Sequence, residues 1–140
     1  MSDATLALAD LAAKLATVAE VRTGRAALEI PDNAELPVIT LWSTDDRPAA
    51  DQGYGYAVQF TRRATIECKL VATSAYHDAL DTALTAIRRA LREDLMSGSP
   101  LSGYATALRQ NAASFWAPED GSKIAVVQVT LEFDYLERFI

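Results

Sequence analysis

The segment from Ala125 to Tyr135 alternates between apolar and polar side chains more regularly than any other part of the chain. Its apolar positions are Ala125, Val127, Val129, Leu131, Phe133 and Tyr135. Side chains two residues apart lie on the same face of a β-strand. The pattern predicts a strand with one face in a hydrophobic core and the other facing solvent or a partner. The chain must therefore fold around a sheet that has a second layer on one face.

Further segments have strand patterns. The run Val38–Trp42 is rich in β-branched and aromatic residues, and residues 54–61 and 65–72 alternate with period two. Arg62 and Arg63 fall between the last two segments. They lie either at a bulge or turn that joins two strands or in the middle of one long bent strand.

Two weaker strands complete the set. A short strand is expected at Ala27–Ile30, after the break at Gly24. Another is expected over Tyr104–Gln110, continuing to Trp116. The turn at residues 118–122 would join it to the last strand in a hairpin.

Two helices are predicted from apolar residues at steps of three and four. The first runs from Ala4 to Ala19, and Ser2 or Asp3 caps it. The second runs from Ala75 to Leu95, with Ser74 as its cap. Its apolar stripe is Tyr76, Leu80, Leu84, Ile87, Leu91 and Leu95.

The order of helix, strands, helix and strands indicates the α+β class. We expect an antiparallel or mixed sheet with the two main helices packed on one face. The length of 140 residues fits a single domain over 1–140, with no repeat or linker to divide it.

Composition excludes several functions. One cysteine rules out an internal disulfide or a cysteine-based zinc site, and one histidine rules out a multi-histidine metal site. The net charge of −6 has the wrong sign for a general nucleic-acid binder. No run is long and apolar enough for a membrane span, and Met1–Asp3 lacks a signal-peptide start. We expect synthesis in the cytoplasm, no cofactor and no metal.

Two groups of charged residues are candidates for an interface. Residues 43–53 read as a polar loop, which is either mobile or functional, and carry Asp45, Asp46, Arg47 and Asp51. A local basic cluster follows, made of Arg62, Arg63, Arg88, Arg89 and Arg92. The arginines of the second helix also suit the helix dipole, which gives them a structural explanation. The alternative is a surface that meets an acidic partner, such as a second copy of this acidic chain.

The remaining reactive or aromatic residues have mostly structural interpretations. His77 is interpreted as a surface or boundary histidine, and Cys68 as a small hydrophobic residue on the core face of its strand. Trp42 and the pair Phe115–Trp116 lie at strand ends, where they suit either a core or an interface.

In its order of elements the chain resembles the tail terminator proteins of long-tailed bacteriophages, of the minor tail protein U type. The likeness covers nearly the whole chain and rests on five segments. They are the first helix followed by Thr23-Gly24-Arg25, the proline-led strand 36–41, the polar loop with the strand 63–71, the helix 75–95, and the final strand with Thr130-Leu131-Glu132-Phe133-Asp134-Tyr135. Residues 136–140 are not explained by this pattern.

The resemblance implies a structural virion protein and no catalysis. Members of this family form a ring, usually a hexamer, on the last ring of tail-tube subunits, stop tube polymerisation and present a surface for joining the head. The implied partners are further copies of the chain, the tail tube protein and a head-completion or neck protein. The implied location is the tail or neck of the virion. No sequence-specific contact with nucleic acid is expected.

Three alternatives stay open. The chain could be another neck or head–tail completion protein, or a relative from a contractile tail. It could also be a small α+β enzyme or ligand-binding domain, which would need a concave pocket with converging polar groups.

Overall fold

Two antiparallel strands of fifteen residues each form the centre of the sheet. The structure is a computed structural model and describes residues 2–32, 35–48, 57–119 and 122–138. In chain order its elements are α1 (Asp3–Leu15), β1 (Glu20–Thr23), β2 (Val38–Pro48), β3 (Ala57–Val71), α2 (Tyr76–Ala90), α3 (Arg92–Met96), β4 (Ala107–Trp116) and β5 (Ile124–Arg138).

The five strands form one mixed sheet in the order β1-β2-β3-β5-β4. Only β1 and β2 are parallel, and the other neighbours are antiparallel. The helices pack on one face of this sheet, so the predicted α+β class is confirmed. None of the described helices is long and apolar enough to cross a membrane.

The core lies between the helices and one face of the sheet. The predicted apolar positions of β5 are all buried, from Ala125 to Tyr135. They pack in one cluster with Leu11 and Leu15 of α1 and with the apolar stripe of α2. Alternation in β5 therefore located the core face correctly.

The polar loop predicted over residues 43–53 is wrong for residues 43–48, which continue β2. These residues pair with residues 60–64 of β3, with a bulge between Ser43 and Asp45. These polar residues form a strand rather than a loop because charged residues on β3 and β5 pair with the charged residues of β2. Residues 49–53 lie outside the described residues.

The alternatives left open for Arg62 and Arg63 resolve into one long strand. Both residues lie within β3, which pairs without interruption with β5. The C-terminal residues Leu136 to Arg138 continue β5 and pair with residues 57–59. The end of the chain that the resemblance did not explain is therefore, up to Arg138, part of the sheet.

The short strand predicted at Ala27–Ile30 is wrong. Residues 24–28 form a 3₁₀ turn, which begins at Gly24 with a positive φ of 57°. Leu28 and Ile30 are exposed and have no core face to cover. The strand forms instead at Glu20–Thr23, directly after the predicted first helix, which itself ends earlier than predicted, at Leu15.

The second helix is broken, although the sequence there contains no helix breaker. The chain leaves helical geometry at Leu91 and resumes as α3. The Ser74 cap is also wrong, because α2 begins after Ala75 and has no side-chain cap. The cap of α1 is confirmed, since the Ser2 hydroxyl accepts the Thr5 backbone N–H at 3.2 Å.

The break at Leu91 places the carboxylate of Asp94 where three segments meet. Asp94 accepts hydrogen bonds from Lys14 Nζ of α1 at 2.7 Å and from the backbone N–H of Leu101 at 2.8 Å. Leu101 is fully buried and has a φ of 55°, which is unfavourable for a residue with a side chain. The contact with Asp94 helps to hold this strained turn in place.

Replacing Asp94 with alanine should therefore destabilise the fold. The change leaves the buried Leu101 N–H without an acceptor and Lys14 without one partner, at a cost of about 2–4 kcal/mol. Urea unfolding followed by circular dichroism measures this cost. Glu93→Ala, at the exposed neighbour, is the control and should change stability by less than about 0.5 kcal/mol. Equal losses in both variants would contradict the role given to Asp94.

Candidate interface on the sheet

A network of charged side chains surrounds Glu132 on the sheet face opposite the helices. Arg47 Nη2 donates to one carboxylate oxygen of Glu132 at 2.8 Å, and Arg109 Nη2 donates to the same oxygen at 3.1 Å. Arg63 donates to the other oxygen at 3.3 Å, and Asn111 also donates to it. Glu132 thus binds side chains from β2, β3 and β4 at once.

Strand register explains why these residues meet. Arg63 and Arg109 are the direct cross-strand neighbours of Glu132. The bulge before Asp45 shifts β2 by one residue, which pairs Asp45 with Arg63 and brings Arg47 to the same face. The network therefore depends on the register and the bulge, which the residue sequence alone does not specify.

The carboxylate of Glu132 is held in its charged form. Burial alone would raise the pKa of Glu132, but hydrogen bonds from Asn111, Arg47 and Arg63 outweigh this effect and lower the pKa to about 2. Burial would likewise raise the pKa of Asp134, and hydrogen bonds from Arg109 and Thr61 lower it below its usual value. Both acids therefore stay charged well below neutral pH.

A second group of polar and aromatic residues lies on the opposite face of the same strands. Arg62 Nε donates to Asp46 Oδ2 at 2.8 Å, and the Tyr135 hydroxyl donates to the same oxygen. The Arg62 guanidinium lies 5.7 Å from the centre of the Tyr135 ring. Burial and the nearby Asp46 carboxylate raise the pKa of Tyr135 to about 12. Tyr135 therefore acts as a neutral donor.

These contacts change the interpretation of the predicted interface. Asp45 and Arg47 bond to each other and to residues on the face of Glu132, while Asp46 bonds to Arg62 on the other face. Charges expected to face a partner are thus compensated within one copy of the chain. Asp51 lies outside the described residues.

The helix arginines are arranged differently. Arg88 donates to the side chain of Gln110 on β4 at 3.0 Å. Arg89 lines a groove of about 690 Å³ between α2 and the turn that follows α1, at Thr17 and Val18. Arg92 begins α3 and is exposed. In the described part of the chain, neither Arg89 nor Arg92 has an ion pair with an acid.

The three aromatic residues predicted at strand ends are half-buried or exposed. The placement of Trp42 at a strand end is wrong, because Trp42 lies within β2 and is half-buried. Phe115 and Trp116 are 50% and 57% exposed at the end of β4. The sheet therefore presents an aromatic pair at one of its edges.

The two residues with reactive side chains lie away from these surfaces. Cys68 is buried in the core, as predicted, and burial raises the pKa of its thiol to about 11. His77 is exposed beside Tyr76, with ring centres 4.1 Å apart. Within residues 2–32, 35–48, 57–119 and 122–138, no three His, Cys, Asp or Glu side chains are grouped to hold a metal ion.

Sequence reasoning missed the centre of the network. Glu132, Asp134, Arg109 and Asn111 were not singled out as candidates. The signal that could have found two of them is the alternation in β5, since its polar positions place Glu132 and Asp134 on the same face. The alternation does not reveal which arginines on β3 and β4 are the cross-strand neighbours of these acids.

The sequence matches no protein-family model and no curated protein.

The network predicts a specific dependence of stability on pH. Because folding lowers the pKa of Glu132 from 4.5 to about 2, its contribution is fully present above about pH 4.5 and is lost as the pH falls toward 2. Urea unfolding from pH 7 to pH 2 should show this loss in the unchanged chain, and Glu132→Gln should remove that part of the slope.

Glu119→Gln, an exposed position near the hairpin turn, is the control and should keep the slope. If Glu132→Gln and the unchanged chain lose stability in parallel between these pH values, the role of Glu132 is incorrect.

Proposed function

We propose that this protein is a phage tail terminator: a structural virion protein that forms a ring on the tail tube, stops its polymerisation and provides the surface for joining the head. The proposal rests first on the order of elements that resembles this family. It implies partners of three kinds: further copies of the chain, the tail tube protein and a head-completion or neck protein.

The observation that carries the proposal is the exposed pair Phe115 and Trp116 at the end of the edge strand β4. Tryptophan and phenylalanine are enriched in the cores of protein–protein interfaces. An edge strand also presents unpaired backbone groups that favour association with another chain. This position gives an assembly protein a surface for a partner.

The compensated network around Glu132 supports the proposal in a second way. A protein that assembles into a ring must keep its shape while neighbouring subunits bind to its surfaces. Four strands are tied together by contacts between side chains of β2, β3, β4 and β5. The network acts as a rigid support for the edge at β4.

Electron microscopy of negatively stained samples tests the proposal directly. The protein is mixed with growing tubes of the tail tube protein encoded in the same genome. We expect a ring at one end of each tube and an end to tube growth. Tubes that lengthen without limit and carry no ring would contradict the proposal, and binding to the head portal instead would favour a neck protein.

The variant Trp116→Ser should weaken capping by about tenfold or more, because it removes an exposed aromatic contact at the edge. His77→Ala removes an exposed ring on α2 and is the matched control. Counting capped tubes at equal protein concentration measures both. If the Trp116→Ser variant caps tubes as well as the unchanged chain, Trp116 is not part of the interface, although the proposed function itself is not contradicted.

A further inference from the structure

The two edges of the sheet carry opposite charge. The edge at β1 and the chain that follows it, residues 20–32 and Glu35, hold four acids and two bases: Glu20, Glu29, Asp32 and Glu35 against Arg22 and Arg25. We name this surface the acidic edge. Arg22 bonds to Glu20 at 3.2 Å and to Glu35 at 3.4 Å, which fixes the segment beside β1.

The opposite edge is formed by β4 together with the end of α2 and α3, and we name it the basic edge. Arg88 and Arg92 are exposed on this edge, whereas Arg89 lines the groove beside Thr17 and Val18. The bond from Arg88 to Gln110 places the end of α2 beside β4. The acids that follow are Glu93, which is exposed, and Asp94, which is bonded to Lys14.

Exposed apolar side chains concentrate at the same two edges. On the acidic edge Leu28 and Ile30 are 83% and 88% exposed. On the basic edge Met96 of α3 is 76% exposed, and Phe115 and Trp116 are exposed at the far end of β4. A single domain gains nothing from exposing these large side chains, whereas an interface buries them.

We infer that the acidic edge of one copy binds the basic edge of the next copy. The two surfaces lie on the same chain, carry opposite charge and both expose apolar side chains. Contact between two such different surfaces is heterologous and builds rings or filaments. The inference deepens the proposed function, because it names the surfaces by which copies of the chain would join into the ring. It also replaces Arg62 and Arg63 as the expected contact, since Arg62 bonds to Asp46 and Arg63 to Glu132 within one copy.

Charge reversal tests the inference. The basic-edge variant carries Arg88→Glu and Arg92→Glu, and the acidic-edge variant carries Glu29→Lys and Asp32→Lys. Each variant then has two edges of the same sign, so each should associate at least about tenfold more weakly than the unchanged chain. An equal mixture of the two variants should assemble again, because every edge finds an opposite charge on the other variant. Sedimentation equilibrium measures association, and circular dichroism verifies the fold of each variant.

The control variant Asp78→Lys with Asp81→Lys changes the net charge by the same amount as the acidic-edge variant, but at the start of α2. It should assemble like the unchanged chain. The inference is overturned if the unchanged chain is monomeric up to about 1 mM, if the mixture fails to assemble, or if only one of the two edge variants loses association. The last result indicates an interface formed by the same edge of both copies.

The tube assay separates this inference from the proposed function. Copies that join by their edges but never cap a tail tube would contradict the tail terminator proposal alone. Capping of tubes by both edge variants, at the same protein concentration as the unchanged chain, would contradict the edge contact alone.

Discussion

The pairing of β3 with β5 is the constraint on which the rest of the structure depends. Fifteen residues of each strand pair without a bulge, so every side chain of one strand has a fixed neighbour on the other. One face of this pair supplies the buried apolar side chains that hold α1 and α2. The other face brings Arg63 beside Glu132. Since both outcomes follow from a single register, a shift of one residue would expose the core and separate the charges together.

The sequence predicts the fold wherever a periodic pattern is long and its apolar positions are buried in the core. The alternation in β5 and the apolar stripe of α2 identify the core face, and the class follows from the order of elements. Prediction fails where contacts distant in sequence decide the local structure. Residues 43–48 have the composition of a loop, but they pair with β3 as a strand. The helix is interrupted at Leu91, just before the contacts of Asp94 with Lys14 and Leu101.

The candidate site is less predictable than the fold for the same reason. Composition identifies Arg62, Arg63, Asp45 and Asp46 as charged residues close in sequence, but it does not show that they neutralise one another across strands. The register and the bulge in β2 decide this. Arginines of the helices differ because the described residues give Arg89 and Arg92 no acidic partner. The contact that we infer between copies therefore rests on charges without a partner in the folded chain, rather than on charges counted along the sequence.

The enclosed position of Glu132 has a consequence for how the molecule responds to ionic strength. Salt screens charges that are exposed and separated by more than about 8 Å at physiological concentration, but it acts weakly on charges in buried contacts. The side chain of Glu132 is only 8% accessible, whereas Arg92 and Glu29 lie at the surface. Dissolved ions therefore screen the charges on the rims of the sheet most strongly, and they screen the contacts of Glu132 less, through arginines whose side chains are 40–48% accessible. The contact that we infer between copies of the chain would therefore weaken with rising salt more than the fold of each copy does.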